Sequence, residues 1–248
     1  MKKHIILISN PGEKGDENYC NGVNVDVVNY YKFFLSPLGG AWYNNEITHL
    51  DRPTASELEL TLSRLRDNEY TKIIFCGHGY YSKRRASTIL ELKKNEEFDS
   101  MMLRGISKKQ TIILDCCRKV TNDIFSEQRT EKFAKSLNTL NVSDSRKFYE
   151  NSIEKCPASI IVTYACDISE EAGDSSSQGG YYSSSLLRAC NEIHESSTID
   201  TSKNYNDYSI VCVFNKAVTI VQKLSGNSQN PQIEKQRSEP YFPFAIIA

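Results

Sequence analysis

Short apolar runs alternate with helical patterns from one end of this chain to the other, and that alternation limits the fold more than any other feature. Residues 5–8, 72–76, 111–114 and 159–163 are nearly continuous apolar runs, the pattern of strands buried on both faces. A weaker strand is expected near 46–50, and residues 242–247 supply a sixth. Between these runs, Val27, Val28, Tyr31, Phe34 and Leu35 share one helical face, closed by Pro37 and Gly39-Gly40. Thr54-Ala55-Ser56-Glu57 is a capping box, in which Thr54 and Glu57 satisfy each other's unpaired amides; Leu58, Leu62 and Leu65 form the stripe behind it. Further helices carry Phe133, Ala134, Leu137 and Leu140, then Leu186, Leu187, Cys190 and Ile193. The last carries Ile210, Phe214, Ala217, Val221 and Leu224, with Gly226 at the C′ position. Residues 87–102 read as an exposed hairpin, with 88–92 pairing across the charged turn 93–97. Strand–helix alternation of this kind defines the α/β class: a mainly parallel six-stranded sheet with helices on both faces.

Composition narrows function more than fold. At 39 % hydrophobic and 25 % charged, the 248-residue chain is ordinary for a soluble globular protein. A formal net charge of -1 gives no field that gathers nucleic acid, and the basic stretch 132–135 reads as a solvated helix face. The apolar run after His4 stops at Ser9-Asn10-Pro11-Gly12, too soon for a signal peptide, and no run approaches the ~18 apolar residues of a membrane span. Eight cysteines are spread along the chain, with Cys76, Cys166, Cys190 and Cys212 inside apolar stretches, as reduced core thiols are. The expectation is one cytoplasmic domain over residues 1–248, without internal repeats and with neither nucleic acid nor membrane as a partner.

Two of the expected strands finish in reactive residues, one in Gly77-His78-Gly79 and the next in Asp115-Cys116-Cys117. Open parallel sheets bind ligands beyond the carboxyl ends of their strands, so neighbouring strands would bring imidazole and thiol to one rim. A thiolate attacks a carbonyl once something has taken its proton, and imidazole is the usual acceptor. The pattern points to Cys117 as nucleophile and His78 as general base, with the amides of Gly79 and Cys117 as oxyanion donors. Taken singly, each residue has a plainer reading as a buried thiol or a capping histidine. Cys76, His78, Cys116 and Cys117 are also all zinc-ligand types, although the Cys-x₂-Cys spacing of structural zinc sites is absent. His4, His49 and His194 read as structural.

At these positions the chain resembles the caspase and metacaspase family of cysteine peptidases. Phe75-Cys76-Gly77-His78-Gly79 is similar to the Ser-Gly-His-Gly segment of metacaspases and the Ser-His-Gly of caspases. Leu114-Asp115-Cys116-Cys117-Arg118 is similar to the metacaspase Asp-x-Cys-His-Ser-Gly and the caspase Gln-Ala-Cys-Arg-Gly. Gly22-Val23-Asn24-Val25-Asp26-Val27 resembles the start of the first caspase helix, and Tyr164-Ala165-Cys166-Asp167 the small-subunit strand with its specificity loop. The likeness runs in order from Ile5 to Ile247. It implies a three-layer caspase-like sandwich with a large-subunit-like part (1–118), a connecting segment (119–156) and a small-subunit-like part (157–248). It selects Cys117, the cysteine before Arg118, over Cys116. There are departures: Lys119 stands where glycine is usual, and the histidine-to-cysteine spacing is shorter than the roughly 50 residues of caspases.

The resemblance also implies a substrate class. Cys20 stands where caspases carry the first arginine that holds a substrate aspartate, whereas Asp26 and Asp115 match acidic pocket positions of metacaspases, and Asp174 matches across a variable loop. Three carboxylates in the S1 pocket imply cleavage of proteins or peptides after Arg or Lys. Two plainer readings stay open: Asp26 as a cap of the first helix, and the acids of 167–174 as solvated or calcium-binding groups. No cofactor is implied, calcium is admitted as an activator, and no recruitment domain is recognised, so a separate sensor or activator protein is an expected partner in a regulated cell-death or defence role. Autoprocessing is expected between Arg118 and Cys156, where Arg129, Arg146, Lys147 and Lys155 are offered. Two other classes remain: a catalytically silent caspase-like interaction module, and a zinc- or redox-binding domain built on Cys116-Cys117.

Overall fold

The apolar runs become parallel neighbours. The structure, a computed structural model, describes residues 1–120, 141–195 and 206–247. Its first half holds β1 (Lys3–Asn10), α1 (Asn21–Leu35), β2 (Ile47–Asp51), α2 (Ala55–Arg64), β3 (Tyr70–Gly77), β4 (Gly79–Ser82), β5 (Ser87–Lys93), β6 (Glu96–Asp99) and β7 (Lys109–Asp115). Its second half holds α3 (Val142–Lys155), β8 (Ser159–Tyr164), β9 (Asp174–Ser175), β10 (Gly179–Gly180), α4 (Tyr181–Glu195), β11 (Asn206–Ser209), α5 (Ile210–Leu224), β12 (Gln232–Glu234) and β13 (Pro243–Ile247). The expected helix around Phe133 and Leu140 and the basic stretch 132–135 lie outside the described residues.

The central sheet has six strands in the order β12-β8-β7-β3-β1-β2, all parallel except the edge strand β12. Side chains alternate between its faces with the strand period of two. Ile5, Leu7, Ile74, Ile113 and Ile161 join the core beneath α1, α3, α4 and α5. Ile6, Ile8, Ile73, Phe75, Ile112 and Leu114 join the core beneath α2 and the small β4-β5-β6 sheet. Each of these fully buried side chains contributes about 1.5–3 kcal/mol, and together they fix the register that aligns the strand ends. Among the described residues no helix is long and apolar enough to cross a membrane.

Local chain signals act as read. Thr54 Oγ1 accepts from Glu57 N–H at 3.1 Å while Glu57 Oε2 accepts from Thr54 N–H at 2.8 Å. At the end of α5, Gly226 takes φ +60° and Asn227 N–H reaches back to Gln222 O at 2.7 Å, a Schellman closure.

Four expectations are corrected. Residues 243–247 do not join the central sheet; they pair antiparallel with β11, and the sixth strand is β12, paired with β8. The buried face of α1 is Val23, Asp26, Tyr30 and Phe34, and Val28 is exposed, because the helix is rotated to aim Asp26 inward. The excursion after β3 is no exposed hairpin: β4 makes it three-stranded, and Ile89, Leu90, Leu92 and Phe98 are buried against the sheet. Cys212 is exposed on α5, whereas Cys76, Cys166 and Cys190 are buried; all eight cysteines are free thiols.

Candidate active site

Pairing between β3 and β7 sets Cys76 opposite Asp115. His78 and Cys117 therefore each stand two residues beyond a directly paired position, on adjacent parallel strands. Both line one cleft of ≈ 300 Å³, together with Asp26, Asp115 and Asp174. His78 is buried and its carbonyl accepts from Glu91 N–H at 3.0 Å, which ties the imidazole-bearing turn to β5.

Cys117 is half-buried, and its sulfur is engaged by the loop between β8 and β9. Ala172 N–H donates to Sγ at 3.3 Å, and the thiol lies 3.8 Å from Ala172 O. Burial pushes the Cys117 thiol up to about 11; the Ala172 amide works the other way, and the nearby carboxylates Glu171 and Asp115 add to the rise. The flanking backbone is laced to the same loop: Arg118 N–H donates to Glu170 O at 3.0 Å, and Ser169 N–H to Arg118 O at 2.9 Å. Lys119 pairs with Glu171. Arg118 is buried, with its guanidinium on Thr88 Oγ1, on Cys166 O and 4.0 Å above the ring of Tyr164.

Gly79 opens β4, where a side chain would collide with Ile89 O and the Cys116 thiol. Glu91 N–H bonds His78 O, and Tyr81 N–H bonds Lys119 O on the opposite edge of β4. Amides two apart on a strand point the same way, so the Gly79 N–H also faces the chain leaving Cys117.

The three carboxylates come from three elements. Asp26 projects from the buried face of α1 and accepts Gly180 N–H on Oδ2 at 2.9 Å, while its Oδ1 is buried without a hydrogen bond. Asp115 ends β7 and accepts both Ser183 N–H (2.9 Å) and Ser183 Oγ–H (2.6 Å) on Oδ2. Asp174, in β9, accepts Gly22 N–H at 3.2 Å. The wall behind them is bare backbone: a Cβ at Gly179, which holds φ +93°, would strike Asp26, and one at Gly180 would strike Asp115. Burial, reinforced by Asp115 and Asp174, holds Asp26 well above the usual carboxylate range. Burial lifts Asp115 to about 6, against the pull of the two Ser183 bonds.

Cys20, at the N-cap of α1, lines the same cleft. The four zinc-type side chains are divided: Cys76 belongs to the core on one face of the sheet and Cys116 to the core on the other. Among the described residues no group of three or more His, Cys, Asp or Glu is arranged to hold a metal ion. His4 is bonded to Thr48 and His49 to Ser9, both away from the cleft; the side chain of His194 lies outside the described residues.

Ala172, Gly179, Gly180 and Ser183 were not evident from the chain. Gly179-Gly180 directly before a helix is a signal of close backbone approach. Ser183, inside a serine run, carries no local mark, since only the fold brings it to Asp115.

No curated protein matches this chain. A family model described as caspase domain matches residues 2–242. That span takes in both reactive strand ends, the sheet between them and the loop over Cys117, so the chain belongs to the caspase-domain family of cysteine peptidases.

Proposed function

We propose that this protein is an endopeptidase that uses Cys117 and His78 to cleave proteins after Arg or Lys. The observation that carries the reading is that a thiol, an imidazole and three carboxylates from four separate segments of the chain line one cleft. His78 takes the Cys117 thiol proton, and the sulfur attacks the carbonyl carbon after the P1 residue. The amides of Gly79 and Cys117 hold the oxyanion. His78 gives its proton to the leaving amine as the C–N bond breaks, and water then hydrolyses the thioester with His78 again as base. The P1 cation lies against Asp26, Asp115 and Asp174. A substrate aspartate there would add a further negative charge to a desolvated pocket lined by acids, which is strongly unfavourable.

The hydrogen bond from Ala172 and the raised Cys117 thiol mean that substrate or a separate activator protein must free the sulfur before attack. A regulated effector, switched on in cell death or defence, is the role this suits. The reaction needs no cofactor, and assays with calcium and with chelator measure whether the acids also serve an activating ion. The test of the whole reading is mass-spectrometric mapping of peptides cut by the wild type and not by Cys117→Ala. Cuts after Arg and Lys that vanish in the variant support it; a mixture of cuts unchanged by the variant overturns it.

A further inference from the structure

The N-terminus of α4 meets two of the pocket carboxylates at once. Gly180 N–H takes one oxygen of Asp26, and Ser183 gives both its N–H and its hydroxyl to one oxygen of Asp115. Ser183 is fully buried, so water does not compete for these bonds. Among the described residues, Asp115 Oδ1 receives no hydrogen bond, and Asp26 Oδ1 is buried without one. One oxygen of each acid is anchored and the other is left over.

We propose that Ser183 is a positioning residue for substrate recognition: it holds Asp115 by Oδ2 and thereby presents Oδ1 to the cationic side chain of the substrate. The proposal rests on the Arg/Lys reading of the pocket. A helix N-terminus favours a negative charge beside it, and a hydroxyl donated to a carboxylate favours the ionised form. Both effects oppose the burial of Asp115. The other ionisable groups facing Asp115 are Asp26 and Tyr30 from α1, Cys76 from β3, Cys166 from the loop after β8, Asp174 from β9 and Tyr182 from α4, with Cys116 and Cys117 on its own segment; His78 lines the same cleft. Apart from His78, all eight are acids or thiols and phenols, so none of those eight offsets the charge of Asp115. Removing the Ser183 hydroxyl raises the pH at which Asp115 ionises, so a larger share of it is protonated near neutral pH and its grip on a cation is weakened.

The test compares the wild type, Ser183→Ala and Ser183→Thr on a fluorogenic peptide with Arg at P1, from pH 5.5 to 9. Ser183→Ala is expected to raise KM about threefold near pH 6.5 and close to tenfold at pH 5.5, the effect of a one-unit shift, to recover toward pH 8.5 and to leave kcat within about twofold. Ser183→Thr, which keeps the hydroxyl, restores the wild-type profile. The Asp115 carboxyl, followed by carbon-13 NMR in full-length protein carrying Cys117→Ala, titrates at higher pH when Ser183→Ala is added. A loss in Ser183→Ala that is uniform over pH, falls on kcat and accompanies a lower Tm makes Ser183 a structural cap and overturns the proposal. An unmoved Asp115 midpoint overturns it as well. Failure of the pocket reading is separable, because it is seen in the wild type alone, as cleavage after Asp with Arg peptides inert.

Discussion

The sulfur of Cys117 accepts a hydrogen bond from the backbone amide of Ala172 at 3.3 Å. The segment that carries Cys117 is thus held by the loop that leads into Asp174, so the proposed nucleophile and the proposed substrate contact are mechanically joined. Burial lifts the thiol to about 11, so at neutral pH the resting protein holds a thiol and not a thiolate. Iodoacetamide is therefore expected to label Cys117 slowly at pH 7, with a rate that climbs about tenfold per pH unit until the thiol titrates. Rapid labelling between pH 6 and 7 that levels off with pH would show an imidazolium–thiolate pair already formed, and would refute the resting state described here.

Cys117→Ala and His78→Ala should each reduce peptide hydrolysis roughly 10³-fold or more, and the double variant should be no worse than either, because the pair acts as a unit. Cys116→Ala should keep most activity. That thiol is buried between Gly79 and the core, and burial holds it well above its ordinary range. Steady-state assays of the four variants decide the matter, and a dead Cys116→Ala beside an active Cys117→Ala assigns the nucleophile to the wrong cysteine.

In the proposed reading, specificity follows from the carboxylates. Peptides differing only at P1 should be cleaved after Arg and Lys, and Asp115→Ala and Asp174→Ala should each lose well over tenfold in kcat/KM, since breaking a buried charge pair costs on the order of 2–5 kcal/mol. Efficient cleavage after Asp removes the pocket assignment and leaves the dyad untouched.

Autoprocessing, where it occurs, is expected N-terminal to α3. Arg146, Lys147 and Lys155 lie within that helix, and Arg146 is further locked to Glu46 at 2.6 Å and to Ala41 O. A peptidase needs extended backbone, so a cut at those residues requires the helix to open. Arg129 lies outside the described residues. N-terminal sequencing of fragments from purified protein locates the cut, and one inside residues 142–155 would count against this expectation.

Lys72 is fully buried in the core, its ammonium nitrogen 2.9 Å from Tyr149 Oη and 4.4 Å from the ring centroid of Phe34. Burial drives its pKa far below the usual lysine value. The unfolded chain then binds a proton the native state lacks at every pH between the folded value and about 10.4. Stability attributable to this group therefore rises with pH across that window. Lys72→Met should stabilise the protein by about 1–4 kcal/mol near neutral pH and flatten that slope. Urea unfolding at several pH values reads both effects; a variant less stable throughout would show that the amine is worth more than its burial costs.

Much of the architecture was legible because it is local. A run such as 111–114 is apolar on both faces and has few alternatives to a buried strand; Thr54 with Glu57, and Gly226 with Asn227, close their helix ends through bonds within a few residues. The shared location of His78 and Cys117 was legible for the same reason: each follows its strand directly, so once two parallel strands are neighbours their carboxyl ends share a rim. What the chain order could not decide depends on contacts between distant segments. Whether residues 243–247 pair with β8 or β11 is a choice between segments distant in the chain, made only when the layers pack. Asp26 matches an acidic pocket position by resemblance, with helix capping as the plainer alternative, and the rotation of α1 against the sheet turns it inward. The anchoring of Asp115 by Ser183, 68 residues away, and the hold of Ala172 on Cys117, 55 residues away, have no local signature at all. Hydrophobic periodicity marks an element and the general side it buries, but the final rotation, as of α1, and the partner that a buried polar group finds are set only when the layers pack.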